Sequence, residues 1–231
     1  HKESMTALRL LLLEYQPEST VVFCNTKRET QEISDELISQ GFSALALNGD
    51  LEQWDRDQTM VRFANKSTSI LVATDVAARG LDIDALDVVI NFQLPHEPET
   101  YVHRIGRTGR AGSKGVAFTL HNGNEYKLTM LSDYIKQDIV NEALPAVTDK
   151  RPMKAPMATL QIGGGKKQKV RPGDILGALT GEHGIAGKQV GKIHIFDNWA
   201  YVAVSRDVVK LGLKKISEGK LKGRSFRIRQ I

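Results

Sequence analysis

Short apolar runs alternate with amphipathic segments along the first 137 residues. Apolar or β-branched runs occupy residues 20–24, 43–47, 69–73, 88–92 and 115–120. Segments with helical spacing occupy residues 5–15, 27–40, 51–64, 99–107 and 124–136. Repeated alternation with short connections predicts a parallel sheet covered by helices on both faces. In such a sheet the loops that follow the strands are expected to form the functional site.

The pattern changes after residue 137. Pro145, Pro152 and Pro156 interrupt a stretch of mixed charges, which predicts a linker over residues 138–156. The remaining segments read as strand 158–162, helix 172–180, strands 191–196 and 199–205, helix 208–218 and strand 224–231. A βαββαβ order of this size is typical of RRM-like α+β domains. The predicted organisation is therefore a parallel-sheet α/β domain at 1–137, the linker, and an RRM-like domain at 157–231.

Charge is divided unevenly between these parts. Residues 1–156 contain 17 Lys and Arg against 22 Asp and Glu, whereas residues 157–231 contain 15 against 5. Such asymmetry favours a nucleic-acid-binding appendage on a mildly acidic domain. A solvated lysine-rich surface is the alternative reading.

Cysteine usage and hydropathy exclude several classes of protein. Cys24 is the only cysteine, so an internal disulfide is impossible, and no Cys/His cluster with structural zinc spacing occurs, so no metal site is predicted. Cys24 has no adjacent base in the sequence and is interpreted as a packing residue. No apolar run approaches the roughly 20 residues of a membrane span, and the start at His1-Lys2-Glu3-Ser4 has no signal-peptide h-region. We expect a cytoplasmic protein with no membrane partner.

The sequence between Tyr101 and Gly112 concentrates arginines among glycines. Arg104, Arg107 and Arg110 recur with helical spacing, and glycines between them allow close backbone approach. Guanidinium groups are permanently charged forks that match phosphate oxygens, so we expect these arginines to face phosphate. A surface ladder of arginines paired with carboxylates is the alternative.

A second constellation follows the apolar strand that ends at Ala73. Thr74 and Asp75 come directly after this strand, and a turn of small residues leads to Asp82. A metal pair or a general acid/base pair is disfavoured because nothing nearby supplies further ligands. Asp82 is better suited to accept ribose hydroxyls, and Asp75 has the simpler alternative of capping the next helical turn.

These stretches resemble the DEAD-box RNA helicases in order and spacing. The resemblance rests on Val21–Lys27, Asn48-Gly49-Asp50, Gln53–Arg56, Ala73–Ile83 and Tyr101–Gly112. It covers about residues 1–137 and implies a RecA-like fold. Asn48 departs from the family pattern, which usually has His before Gly-Asp, and the departure weakens only that contact.

The resemblance also implies roles for individual residues. Arg107 and Arg110 would be arginine fingers on the γ-phosphate, His103 would link the ATP state to the RNA side, and Gly80 and Asp82 would hold the ribose of ATP. The residues implied to grip or position the RNA backbone are Thr26, Gly49, Gln53, Arg56 and Thr74. ATP with Mg²⁺ is the implied cofactor. The chain has neither a Gly-x-x-x-x-Gly-Lys-Ser/Thr loop nor an Asp-Glu-Ala-Asp tetrapeptide, so we expect the ATP-cradling lobe to lie upstream and this portion alone to be inactive.

The tail offers two kinds of candidate RNA contact. Phosphate contacts are expected from its basic clusters, which comprise Lys166, Lys167, Lys169, Arg171, Lys220, Lys222, Arg224, Arg227 and Arg229. Base stacking is expected from Trp199 and Tyr201, placed on one strand face, although ordinary strand packing is an equal alternative. The combined lobe and tail resemble bacterial DEAD-box members whose tail recognises a hairpin of large-subunit ribosomal RNA.

Three functions remain open from the sequence. The leading prediction is the C-terminal portion of an ATP-dependent RNA helicase that remodels ribosomal RNA in a pre-ribosomal particle. A non-enzymatic RNA-binding protein with a RecA-like scaffold is the second, and a DNA helicase of the same superfamily is a third that the tail type disfavours. The oligomeric state is left open.

Overall fold

The structure is a computed structural model that describes residues 1–79, 83, 85–109, 115–123 and 125–231. The chain divides into two compact units. The first comprises His1–Thr59 with Ser69–Lys154, and the second comprises Met60–Thr68 with Ala155–Ile231.

The first unit contains the predicted five-stranded parallel sheet. Its strands are β1 (Thr20–Phe23), β2 (Ala44–Leu47), β3 (Ile70–Ala73), β4 (Val88–Asn91) and β5 (Val116–Thr119). Their order is β2-β3-β1-β4-β5, and every neighbouring pair is parallel. The three central strands are buried along their whole length, which explains their continuous apolar sequences. The predicted α/β fold class is confirmed.

Among the described residues, four helices connect these strands, one precedes β1 and one follows β5. They are α1 (Lys2–Tyr15), α2 (Lys27–Ser39), α3 (Gln53–Ala64), α4 (Asp75–Ala78), α5 (Pro98–Ile105) and α6 (Glu125–Ile135). The apolar stripe of α1 packs into the core through Leu8, Leu11 and Leu12, and α2 adds Ile33 and Leu37. Thr26 begins α2 as its N-cap, because its hydroxyl accepts the N–H of Glu29.

The second unit contains an antiparallel sheet with two helices. In chain order the elements are β6 (Met157–Ile162), α7 (Pro172–Thr180), β7 (Val190–Ile195), β8 (Ala200–Ser205), α8 (Val209–Glu218) and β9 (Ile228–Gln230). The strand order is β7-β8-β6-β9, and alternate residues of β6 and β8 form a separate core with both helices. The predicted βαββαβ order is confirmed. The last strand is shorter than predicted because residues 221–224 form a turn closed by reciprocal hydrogen bonds between Leu221 and Arg224.

The segment predicted as a linker contains no helix or strand, yet part of it is attached to the first unit. Val147 packs against the first core. Lys150 lies 3.1 Å from the carboxylate of Glu14, and the side-chain amide of Gln16 donates to the carbonyl of Arg151. The first unit therefore extends to Lys154.

No helix within the described ranges is both long enough and apolar enough to cross a membrane.

Candidate nucleotide and nucleic-acid interfaces

The guanidinium of Arg104 is buried at the carboxyl edge of the parallel sheet. Arg104 lies on α5, is only 1% exposed, and donates from Nε and Nη2 to the two carboxylate oxygens of Asp75, each at 2.7 Å. Asp75 is the first residue of α4, directly after β3. This bidentate pair therefore fixes α5 to the end of the central strand β3.

The remaining donors of Arg104 bind the ends of two more strands. Nη2 donates to the side-chain carbonyl of Asn25, after β1, at 3.0 Å. Nη1 donates to the side-chain carbonyl of Asn91 and to the backbone carbonyl of Gln93, at the end of β4. The expectation that Arg104 faces phosphate is wrong, because its donors are used inside the protein. Its role is to hold three strand ends and one helix together.

Both carboxylate oxygens of Asp75 accept hydrogen bonds from Arg104. The N-cap of α4 is Thr74, whose hydroxyl accepts the N–H of Ala77, and not Asp75. The alternative that Asp75 caps the helix is therefore wrong. The sequence gives no local signal for this pair, because residues 75 and 104 are far apart in the chain and meet only after the sheet has formed.

Arg104 anchors the part of the chain that contains His103 and Arg107. The side chain of His103 is 69% exposed, with Nε2 4.0 Å from a carboxylate oxygen of Glu99. Arg107 follows the end of α5 and is partly exposed. Its backbone carbonyl accepts the N–H of Leu86, whose own carbonyl accepts the hydroxyl of Thr108.

This arrangement fits a bound polyphosphate. His103 and Arg107 offer nitrogen donors at the end of an anchored helix, which is the chemistry that phosphate oxygens require. Gly80, Asp82 and Arg110, also predicted to contact ATP, lie outside the described residues. Among the residues that the structure describes, no group of three His, Cys, Asp or Glu side chains could hold a metal ion.

The residues predicted to contact RNA in this lobe lie after adjacent strands. Thr26 follows β1, Gly49 follows β2 and Thr74 follows β3. The three strands are neighbours and parallel, so their carboxyl ends share one edge of the sheet. The two threonine hydroxyls also cap α2 and α4, which fixes their positions.

Gln53 and Arg56 lie at the start of α3. Gln53 is exposed and donates from Nε2 to the carboxylate of Asp57 at 2.8 Å. Arg56 donates from Nη2 to the carbonyl of Ala77 at 2.7 Å, which ties α3 to α4.

Asn48, the residue that departs from the family pattern, shapes the turn that contains Gly49. Its side-chain amide donates to the hydroxyl of Thr30 at 2.9 Å, and its side-chain oxygen accepts the N–H of Asp50 at 2.9 Å. Lys27 pairs with Asp50 across the same turn at 2.9 Å. The turn geometry is thus maintained by an amide at this position.

Burial governs the chemistry of Cys24. The thiol lies in the first core, and burial, with a smaller contribution from Glu29, raises its pKa to about 12. The interpretation of Cys24 as a packing residue is confirmed.

In the second unit, two basic segments that are distant in the sequence lie side by side. The glycine-rich loop after β6 contacts the segment before β9, since Gly163 donates its N–H to the carbonyl of Arg227 and Arg224 donates to the carbonyl of Gln168. Lys222 lies 3.7 Å from the carboxylate of Asp174. We name this the basic surface, and it comprises the exposed residues Lys166, Lys167, Lys169, Arg171, Lys220, Lys222, Arg224 and Arg227. Arg229, exposed on β9, donates from Nε to Gln161 and does not share these contacts.

The turn between β7 and β8 adjoins the basic surface. The N–H groups of Lys166 and Lys167 donate to the carbonyls of Phe196 and Asp197. Gly165 is required at this contact, because a Cβ there would overlap the carbonyl of Phe196 and lie 2.7 Å from the amide nitrogen of Trp199.

The two candidate stacking residues have different environments. Trp199 precedes β8 in this turn and is 38% exposed, so an aromatic ring lies beside the basic surface. Tyr201, by contrast, is 1% exposed and packs edge-to-face against Phe196 with the ring centroids 5.7 Å apart. Tyr201 therefore follows the strand-packing alternative, and the two residues do not present one shared face to a base.

Comparison with known proteins finds a family match in each of two parts of the chain. Residues 3–112 match the helicase conserved C-terminal domain, and residues 159–230 match the DbpA RNA binding domain. The chain is 49% identical over 229 residues to the ATP-dependent RNA helicase DbpA of Escherichia coli (strain K12), covering 99% of this chain and 50% of the relative. It is 32% identical over 250 residues to the ATP-dependent RNA helicase DbpA of Bacillus subtilis (strain 168), covering 98% of this chain and 52% of that protein.

A solved structure is also similar. The crystal structure of the E. coli DEAD-box protein SrmB bound to the regulator of ribonuclease activity A matches with a TM-score of 0.56 and 36% identity, over 68% of this chain and 92% of that one. The chain spans about half the length of the two curated relatives.

Proposed function

The chain belongs to the DEAD-box proteins, and we propose that it is the C-terminal portion of an ATP-dependent RNA helicase that remodels ribosomal RNA during assembly of the large subunit. One observation supports this function most directly. Arg104 ties α5 to the ends of β1, β3 and β4, and so holds His103 and Arg107 at the edge where the predicted RNA contacts of the lobe also lie.

In this proposal the lobe contributes charge to a nucleotide site that it does not build alone. ATP bound with Mg²⁺ supplies the γ-phosphoryl group for transfer. Arg107 and Arg110 present guanidinium groups to its developing negative charge, His103 connects this site to the RNA edge, and Gly80 and Asp82 hold the ribose. Arginines delivered from a second lobe raise the rate by roughly 10³–10⁵ in comparable phosphoryl-transfer enzymes.

The lobe also grips the RNA backbone. The hydroxyls of Thr26 and Thr74, the backbone at Gly49 and the side chains of Gln53 and Arg56 approach one edge of the sheet from adjacent elements. Contacts of this kind position the strand without reading its bases. Hydrolysis is coupled to RNA remodelling because the arginines complete the nucleotide site only when two lobes close.

In this proposal the tail determines which RNA the protein binds. Its basic surface neutralises phosphates, and the exposed ring of Trp199 beside it offers a stacking platform for an unpaired base of a ribosomal RNA hairpin. Tethering to that hairpin raises the effective concentration of the core at neighbouring helices of a pre-ribosomal particle. The protein acts in the cytoplasm.

An ATPase measurement tests the catalytic part. In the full-length protein, Arg107→Ala is expected to lower RNA-stimulated ATP turnover by at least about 10³-fold, as is Arg110→Ala. Arg28→Ala is the matched control, because Arg28 is an exposed arginine that pairs with Glu32 on the same helix, α2. Turnover near that of the control in both variants would refute the assignment of Arg107 and Arg110 as arginine fingers. Absence of RNA-stimulated turnover in the unaltered full-length protein would leave only the non-enzymatic RNA-binding function.

An RNA-binding measurement tests the tail. The full chain is expected to bind a large-subunit hairpin fragment more tightly than bulk RNA. The double variant Lys166→Ala/Lys167→Ala should weaken RNA binding. It should also lower the slope of log Kd against log salt concentration by about 2, since two phosphate contacts are lost. Lys210→Ala/Lys214→Ala on α8 is the charge-matched control. Equal affinity for the hairpin and for bulk RNA would contradict specific anchoring.

A further inference from the structure

The first unit has an open sheet edge on β5. This strand is the last of the sheet, and within the described ranges no other strand pairs with it beyond β4. The N–H groups of Val116 and Leu120 donate to carbonyls of β4 or its flanks. Because strand residues alternate in direction, the backbone groups of Ala117 and Thr119 face away from β4. The side chain of Ala117 is exposed, which agrees with an uncovered edge.

A groove of about 860 Å³ runs beside this edge. It lies between β5, α1, α6 and residues 137–145, all within the first unit. Its wall includes the rings of Tyr15 and Phe118, whose centroids are 4.8 Å apart, and Tyr15 is 46% exposed. Val140 and Leu144 on the opposite wall are 76% and 50% exposed. The groove therefore combines exposed apolar side chains, set among polar ones, with the outward backbone groups of β5.

The charge of the groove has one sign. Among the described residues that line it, the charged ones are Glu3, Glu14, Asp138 and Glu142, and none is a lysine or arginine. Glu14 is paired with Lys150, which leaves three carboxylates around the rim. RNA phosphates would be repelled here, whereas a cationic ligand would be attracted. Of the residues predicted to contact ATP or RNA, those that the structure describes do not line the groove.

The geometry points to a protein-docking site in which an extended segment of a partner protein, with apolar side chains alternating with Lys or Arg, adds to β5 as a further strand. Backbone hydrogen bonds to Ala117 and Thr119 give affinity, and alternate side chains enter the apolar groove. The intervening basic side chains meet Glu3, Asp138 and Glu142. Strand addition of this kind uses an edge that a protein otherwise has to protect.

The test uses the full 231-residue chain and a fluorescent octapeptide that alternates lysine and valine. Saturable binding by fluorescence anisotropy is expected, weakening as salt is raised. A block peptide of four lysines followed by four valines should bind at least about fivefold more weakly, corresponding to about 1 kcal/mol. Absence of saturable binding, or equal binding of the two peptides, would overturn the proposal.

Two changes separate strand addition from attraction to any acidic surface. Ala117→Pro removes an outward N–H at an edge where proline is tolerated, and it should reduce affinity at least about fivefold. Glu3→Lys/Glu142→Lys should do the same, whereas the charge-matched control Glu32→Lys/Glu36→Lys on α2 should not. Equal loss in the control pair would show general charge attraction and refute the site.

Peptide chemistry gives a readout that does not depend on folding of a variant. Methylating alternate backbone nitrogens along one edge of the alternating peptide should abolish binding, and methylating the other edge should leave it. Equal effects of the two methylations would exclude strand addition. Sedimentation of the chain alone tests whether a second copy of the chain binds at β5 instead of a partner protein. A dimer that dissociates in Ala117→Pro would show that it does, and would overturn the proposal.

Discussion

Arg104 and Asp75 belong to two different sequence motifs and share two hydrogen bonds of 2.7 Å inside the folded chain. The two motifs are therefore coupled in the folded chain. A displacement of α4, after β3, would move α5 as well, because the planar guanidinium of Arg104 binds both carboxylate oxygens of Asp75.

The Arg104–Asp75 pair should dominate the stability of this edge. Asp75→Ala leaves a buried guanidinium without its countercharge and is expected to lower the free energy of unfolding by about 3 kcal/mol. The double variant Asp75→Leu/Arg104→Met should lose less than the sum of the two single variants, since no unpaired charge remains. Urea denaturation of the full chain measures both. Lys27→Ala, which breaks the exposed pair with Asp50, serves as the control and should change little.

Cys24 should be chemically silent in the native protein. Its pKa of about 12 leaves almost no thiolate at pH 8, and the thiol is buried, so iodoacetamide should not modify it until the chain is unfolded. Mass spectrometry before and after addition of denaturant checks this. Rapid modification of the folded chain at pH 8 would contradict the burial of β1.

The predicted fold was accessible from the sequence because its signals are local. Short apolar runs such as Val21–Phe23 and Ile70–Ala73 predict buried strands, and Pro172 with Asp174 marks the start of α7. The roles of Arg104 and Tyr201 were not accessible, because each depends on which side of a helix or sheet becomes covered. Arg104 lies three residues before Arg107, and the sequence therefore predicts a second phosphate ligand. Only the folded structure shows that its donors bind the ends of strands instead.

His194 should make stability depend on pH. Burial, and then the nearby charge of Lys192, lowers the pKa of His194 below its ordinary 6.5, while Nε2 lies 3.0 Å from the side-chain oxygen of Asn65 in the same unit. The unfolded chain binds the proton more readily, so the stability from neutral His194 is present above pH 6.5 and is lost as the pH falls below it. Unfolding at pH 7 and pH 5 should show a smaller difference in His194→Gln than in the wild type. His183→Gln, at an exposed site, should leave the difference unchanged.

Two glycine substitutions in the tail should have opposite effects. Gly165→Ala forces a Cβ into the turn that precedes Trp199 and is expected to cost about 2 kcal/mol of stability. Gly177→Ala lies inside α7 with open space around the added Cβ, and should stabilise the chain by about 0.5–1 kcal/mol. Thermal unfolding of the two variants gives the comparison. Similar melting temperatures would contradict the close contact at Gly165.

Trp199 and Tyr201 should separate RNA binding from stability. Trp199→Ala is expected to weaken binding of a hairpin fragment roughly tenfold with little change in unfolding, because its ring is exposed. Tyr201→Ala should instead destabilise the second unit, where the ring is buried. Paired measurements of Kd and urea midpoint distinguish the two. A loss of RNA affinity without destabilisation in Tyr201→Ala would show that the tyrosine ring does reach the RNA.

The buried thiol of Cys24, the residue after β1, also has a practical use. A second cysteine placed at a solvent-facing position such as Val76, which is 76% exposed, could receive a fluorophore or spin label while the native cysteine remains in place. Such a probe would report on the surroundings of α4 while the native thiol stays unlabelled.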